Sequence, residues 1–173
     1  MLEVVILGSG NVGNHLVQRF EKSTDVNVIQ WYNRNLPNIN SFPKSIIKTN
    51  NINNLLEADI YIIAVNDDKI REVSSKLKFN NRLICHTSGS KNLKELSSKN
   101  RRAVFYPLQT ISKSSDINNI KTPFCIECEN KDDTKILEKL CNSIDSKFYN
   151  INSKQREKLH LAAVFVNNFT NQW

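Results

Sequence analysis

Apolar positions along the chain fall into short runs parted by polar segments, and their period switches repeatedly between that of a buried strand and that of a helix. Residues 2–7 are apolar apart from Glu3 and stop at Gly8, as expected of a central parallel strand covered on both faces. Val12, Leu16 and Phe20 then recur at a helical spacing, forming one stripe that should lie on the sheet. Residues 26–32 read as a second strand. After a polar stretch with Pro37 and Pro43, Ile46 and Ile47 read as a short strand and 52–56 as a short helix. Residues 60–65 form another buried strand, after which Asp67 or Asp68 is expected to cap a helix with the stripe Ile70, Val73 and Leu77. Residues 83–85 and 103–106 read as strands flanking a helix near Leu93 and Leu96, and 111–121 as a loop. Residues 124–127 and 148–151 read as strands bracketing a helix that carries Ile136, Leu137, Leu140 and Ile144.

This repetition predicts an α/β fold: a doubly wound, mainly parallel sheet with helices on both faces. One domain is expected over 1–152. Ser153 is then expected to cap a last helix through Leu161, Ala162, Ala163, Val164, Phe165, Val166 and Phe169, apolar on more than one side. Such a helix needs partners all round. We therefore expect 153–173 to begin an all-α C-terminal domain cut short here, or to be covered by the partner in a homodimer.

Charge and composition narrow the function classes. The formal net charge of +7 favours anionic partners without choosing among them. Arg101-Arg102 is the one adjacent pair of arginines and no nucleic-acid motif accompanies it, so nucleic acid is not an expected partner. No apolar run is long enough to span a bilayer, and the N-terminus lacks the pattern of a signal peptide, which makes the cytoplasm the expected location. Among Cys85, Cys125, Cys128 and Cys141, only Cys125 and Cys128 have CxxC spacing. They fall in a strand, where that separation turns them to opposite faces, so core thiols are expected and no metal site.

The chemistry begins at Gly8-Ser9-Gly10-Asn11-Val12-Gly13, a GxGxxG turn that follows a strand and opens a helix. In that setting the pattern identifies a Rossmann dinucleotide site, with the pyrophosphate on the helix N-terminus. An acidic residue at the end of the second strand would bond the ribose of NAD, but no Asp or Glu lies between Asp25 and Glu57. Asn33 and Arg34 occupy that place, and a guanidinium there suits a 2′-phosphate, so the expected cofactor is NADP (NADPH). Backbone near Val65 and Asn66 should lie beside the ribose or nicotinamide, while Asp67 and Asp68 are read as helix caps. His86 and Ser88, in His86-Thr87-Ser88-Gly89-Ser90, leave a strand at the same edge. They are candidates to donate a proton and to orient the substrate. His160 and Asn167 share a helix face and are further catalytic candidates.

These residues resemble the bacterial Rossmann-like family with a C-terminal helical domain known as DUF2520. The resemblance rests on the glycine turn, on 86–90, on Tyr106-Pro107-Leu108-Gln109-Thr110 and on 160–169. The family is similar to pyrroline-carboxylate reductases, coenzyme F420-dependent NADP oxidoreductases and 3-hydroxyacid dehydrogenases. That likeness implies hydride transfer between NADP and a small carbonyl or imine substrate, and a dimer formed through the helical domain. In 3-hydroxyacid dehydrogenases the last helix carries a catalytic lysine three residues before an Asn-Asn pair. Val164 holds that position here, with His160 one turn earlier as a substitute. A module that holds NADP without turnover is the alternative reading.

Overall fold

A computed structural model describes residues 1–35, 45–109, 111 and 122–170, the side chains of 167–170 excepted. The segment with Pro37 and Pro43 lies outside the described residues, as does the expected loop at 111–121 apart from Ile111.

The elements run β1 (Leu2–Leu7), α1 (Asn11–Phe20), β2 (Val26–Tyr32), β3 (Ile47–Thr49), β4 (Ile60–Ile63), α2 (Ile70–Ser75), β5 (Leu83–His86), β6 (Arg101–Pro107), β7 (Phe124–Cys128), α3 (Lys131–Ser143), β8 (Phe148–Asn150) and α4 (Ser153–Thr170). The strands form one sheet in the order β3-β2-β1-β4-β5-β6-β7-β8. All neighbours are parallel except β6 and β7. The chain builds outward from β1 to β3, returns to lay β4 on the other side of β1, and builds outward again. The order therefore reverses between β1 and β4, and the crevice beyond their carboxyl ends is where doubly wound sheets bind ligands.

Alternation along each strand supplies two cores. Leu16, Val17 and Phe20 of α1 and Leu137, Leu140 and Cys141 of α3 cover one face, against Val4, Ile6, Ile62, Cys85 and Phe105. Phe105 stacks on Phe124 with ring centroids 4.3 Å apart. The other face packs Val5, Leu7, Tyr61, Ile63 and Ile84 under Ile70, Leu77 and Leu96. Val104, Tyr106 and Cys125 continue it toward the sheet edge. Cys125 and Cys128 lie on opposite faces, Cys128 being packed against the first core. All four cysteines are free thiols.

Several local expectations give way. The short helices expected at 52–56 and near Leu93 are single 3-10 turns, Ile52–Asn54 and Leu93–Glu95. In each, an Asn side chain caps a turn too short to propagate an α-helix. The third strand starts at Ile47 and not at Ile46, whose side chain enters the core. Neither Asp67 nor Asp68 is a cap: both lie inside a 3-10 turn, Asp67–Lys69, that precedes α2. The cap of α4 is Asn152, not Ser153. Asn152 Oδ1 accepts from Gln155 N at 3.0 Å and Gln155 Oε1 accepts from Asn152 N at 3.0 Å, a reciprocal capping box.

The first turns of α4 are held down by Arg156, which is 1% exposed. Its guanidinium pairs with Glu127 of β7 and donates to the Lys91 carbonyl at 2.5 Å and to Ser153 Oγ at 3.2 Å. Further along, Leu161, Phe165 and Val166 are more than half exposed. No helix among the described residues is long and apolar enough to cross a membrane.

Candidate functional site

Gly8 closes β1 with φ +117°, a conformation that a side chain strains. A Cβ there would sit 2.2 Å from the Ala64 carbonyl oxygen, and one at Gly13 would sit 2.3 Å from the Gly8 oxygen. These two glycines let β1, β4 and α1 meet. Trp31 Nε1 fixes the turn by donating to the Gly8 carbonyl at 2.7 Å. Gly10 differs: a Cβ on it would meet nothing within 4 Å, so its surroundings are open for a ligand to approach the backbone. Gly10 is also the N-cap of α1, where no side chain caps the helix and no acidic residue occupies the first turn. That end therefore offers backbone N–H groups and a positive dipole to an anion.

The cleft above this turn is lined by Gly8, Ser9, Gly10, Asn33, Arg34, Val65 and Asn66, all seven expected there from the sequence. Tyr32, Lys69, Glu72 and Lys76 also line it. Asn11 is exposed at the start of α1, Val12 packs against the core and Gly13 is enclosed, so Val12 and Gly13 shape the turn without lining the cleft. Asn33 is held at the end of β2 by its N–H to the Thr49 carbonyl, 3.1 Å, and by its side-chain amide to the Asn35 carbonyl.

A second cluster stands where β4 and β5 end. Asp67, next in sequence to the cleft residue Asn66, accepts hydrogen bonds at Oδ2 from Ser88 Oγ at 2.6 Å and Ser90 Oγ at 2.8 Å. Ser88 Oγ also accepts from Ser90 N at 3.2 Å and Lys91 N at 3.0 Å. One donor and two acceptor sites are all a hydroxyl has. Ser88 is thus spent on knotting the loop, and Asp67 and Ser90 are the exposed polar groups.

His86 is fully buried. Its Nδ1 accepts from Ser88 N at 3.1 Å, so the neutral ring carries its proton on Nε2, which finds no partner of ordinary hydrogen-bond geometry among the described residues. Burial, aided by the Arg156 charge, pulls its pKa down to about 4 against weaker support from the Asn92 backbone, Asp67 and Glu95. His86 is neutral at physiological pH and turned into the loop.

His160 reaches the same loop from α4. Its Nδ1 lies 2.9 Å from Tyr106 Oη, with the rings edge to face. A Cβ on Gly89 would lie 2.5 Å from His160 Nδ1 and 2.7 Å from Tyr106 Cζ. Only a glycine lets residues 88–90 pass beneath this pair. Burial, then the charges of Cys125 and Asp67, push the Tyr106 phenol up to about 12, against the opposing charge of Arg156. It is therefore a neutral hydroxyl. Asn167 lies on α4, and its side chain is outside the described residues.

The structure thus brings His86, Ser88 and His160 into one neighbourhood and adds Asp67, Tyr106 and Arg156. Asp67 was hidden behind the capping reading, although it follows a strand that ends at the crevice. Tyr106 carried a signal as the last residue of an apolar run at the same sheet edge. Arg156 carried none. No group of His, Cys, Asp and Glu among the described residues could hold a metal ion.

No curated protein sequence matches the chain. Among solved structures it is similar to a candidate NADP oxidoreductase from Bacteroides fragilis, with a TM-score of 0.83 and 27% identity over 99% of this chain and 68% of that one. It is also similar to the pyrroline carboxylate reductase of Plasmodium falciparum with NADP bound, TM-score 0.69 and 16% identity over 95% of this chain and 65% of that one. The prephenate dehydrogenase of A. aeolicus, in complex with hydroxyphenyl propionate and NAD+, gives 0.70 and 14% over 90% and 62%. The chain spans about two thirds of the length of these proteins. The fold is the Rossmann fold of dehydrogenases and reductases, and residues 122–173 match the family described as Domain of unknown function (DUF2520).

Proposed function

We propose that the chain is the dinucleotide-binding part of an NADP-dependent oxidoreductase acting on a small carbonyl or imine compound. One observation carries this: the glycine-turn cleft and the cluster of Asp67, Ser88 and Ser90 share the carboxyl end of β4, with Asn66 in one and Asp67 in the other, and His160 reaches the same loop at Gly89. The residues fit the cofactor, since the uncapped N-terminus of α1 and the open space at Gly10 suit a pyrophosphate. Asn33 and Arg34 would hold the 2′-phosphate, and the backbone at Val65 and Asn66 would face the ribose and nicotinamide. When bound, the cofactor supplies or accepts the hydride. The chain must then provide a proton for the oxygen or nitrogen that gains the electron pair.

His160 would supply that proton. Tyr106, a neutral hydroxyl beside Nδ1, can accept from the protonated ring and fix its orientation, leaving Nε2–H for the substrate. Asp67 and Ser90 would bind a polar substrate group. His86, neutral and buried, holds the loop and takes no part in proton transfer.

A panel of small carbonyl and imine compounds followed by NADPH absorbance tests this reading. We expect NADPH consumption whose kcat falls about 100-fold in His160→Gln and about tenfold in Tyr106→Phe, with KM changed less. NADPH binding with no consumption across the panel would favour a module that holds the cofactor. The internal use of His86 and Ser88 is the observation that keeps this second reading in play.

A further inference from the structure

The wall of the cleft supplied by α2 and the 3-10 turn before it carries charges that the glycine-turn pattern does not call for. Lys69, Glu72 and Lys76 line the same cleft as Arg34. Glu72 takes both lysines: its carboxylate lies 2.6 Å from Lys76 Nζ and 3.4 Å from Lys69 Nζ. All three side chains are about half exposed, so the triplet is not needed to fill the core. The hydrogen bond and charge of Lys76, then those of Lys69, hold the Glu72 carboxyl below the usual range. It is a full anion at neutral pH.

We propose that Glu72 is a built-in competitor for the phosphate at the adenosine end of the cofactor, and so sets how strongly the cleft prefers NADP over NAD. This rests on the cofactor reading above. A 2′-phosphate carries nearly two negative charges at neutral pH. Beside Arg34 it would draw Lys69 and Lys76 away from Glu72, exchanging one carboxylate for a stronger anion. NAD has only a hydroxyl there and gains nothing from the exchange. The lysines thus contribute to 2′-phosphate binding only to the extent that they leave Glu72, and the carboxylate limits the preference.

The test is calorimetric titration of the whole chain with NADP+ and NAD+ at fixed salt, for the wild type, Glu72→Gln, Lys76→Gln and the control Glu57→Gln. Glu57 pairs with Arg82 and does not line the cleft, so it reports the effect of net charge alone. We expect Glu72→Gln to tighten NADP+ about threefold to tenfold and NAD+ less than twofold, and Lys76→Gln to weaken NADP+ by about threefold. Glu57→Gln should leave the ratio of the two affinities unchanged. An unchanged ratio in Glu72→Gln, or equal tightening of both ligands, would overturn the proposal while leaving the cofactor reading intact. Failure of the wild type to bind either dinucleotide would overturn both.

Discussion

The glycines of the turn have different roles, and single substitutions separate them. Gly8 holds a positive φ under the Ala64 carbonyl, while Gly10 faces open space. Gly8→Ala should therefore cost about 2–4 kcal/mol of stability, from strain and displacement of β4. Gly10→Ala should leave stability within about 0.5 kcal/mol but weaken dinucleotide binding, because the methyl group occupies the ligand's approach. Urea denaturation and a binding titration of both variants check this; equal destabilisation would contradict it. His86 gives a second prediction. Its folded pKa of about 4 lies below the ordinary 6.5, so below pH 6.5 the unfolded chain binds a proton that the native chain refuses. Stability due to this group is full above pH 6.5, falls as pH drops toward 4, and is lower by about 3 kcal/mol beyond that. His86→Asn should flatten that part of the stability profile. At this scale the residues lining the cleft were legible because a glycine turn between a strand and a helix constrains residue type at each position. Asp67 and Tyr106 were legible only as positions at the end of a strand, and not in their pairing, because their partners lie 21 and 54 residues away.

Among the elements, the strands were the most legible, since strands buried on both faces write long apolar runs into the sequence. The short helices were not. Residues 52–56 and the Leu93 region carry apolar residues at helical spacing, but the connections leave room for one 3-10 turn each. The start of α4 shows a similar limit. Ser153 is a good N-cap residue by type, yet its hydroxyl goes to Glu127 at 2.8 Å and accepts from Leu93 N at 3.3 Å, and the cap falls to Asn152. These bonds, with Arg156, lock the first turns of α4 to β7 and to the loop after β5. Arg156→Ala would leave Glu127 without its guanidinium partner and should destabilise the fold by about 3–5 kcal/mol. Hydrogen exchange should show lost protection in α4 and in 88–93, with β1 and β4 retaining theirs. Uniform loss across the sheet would mean that α4 is not a separately anchored element.

On the scale of the whole molecule, the strand order, the uncapped N-terminus of α1 and the cluster around Asp67 converge on one edge of the sheet. The βαβ repetition made that architecture readable. Where α4 would sit over the edge strands was not readable, because it depends on one buried guanidinium and on a glycine that lets a loop slip under His160. The central claim is that this edge holds a nicotinamide dinucleotide and that Arg34, in the absence of an acid at the end of β2, selects the phosphorylated form. Parallel titrations with NADPH and NADH at the same ionic strength test it most directly. We expect saturable one-to-one binding with NADPH at least about tenfold tighter, a difference of about 1.4 kcal/mol; equal affinities, or a preference for NADH, would contradict this claim.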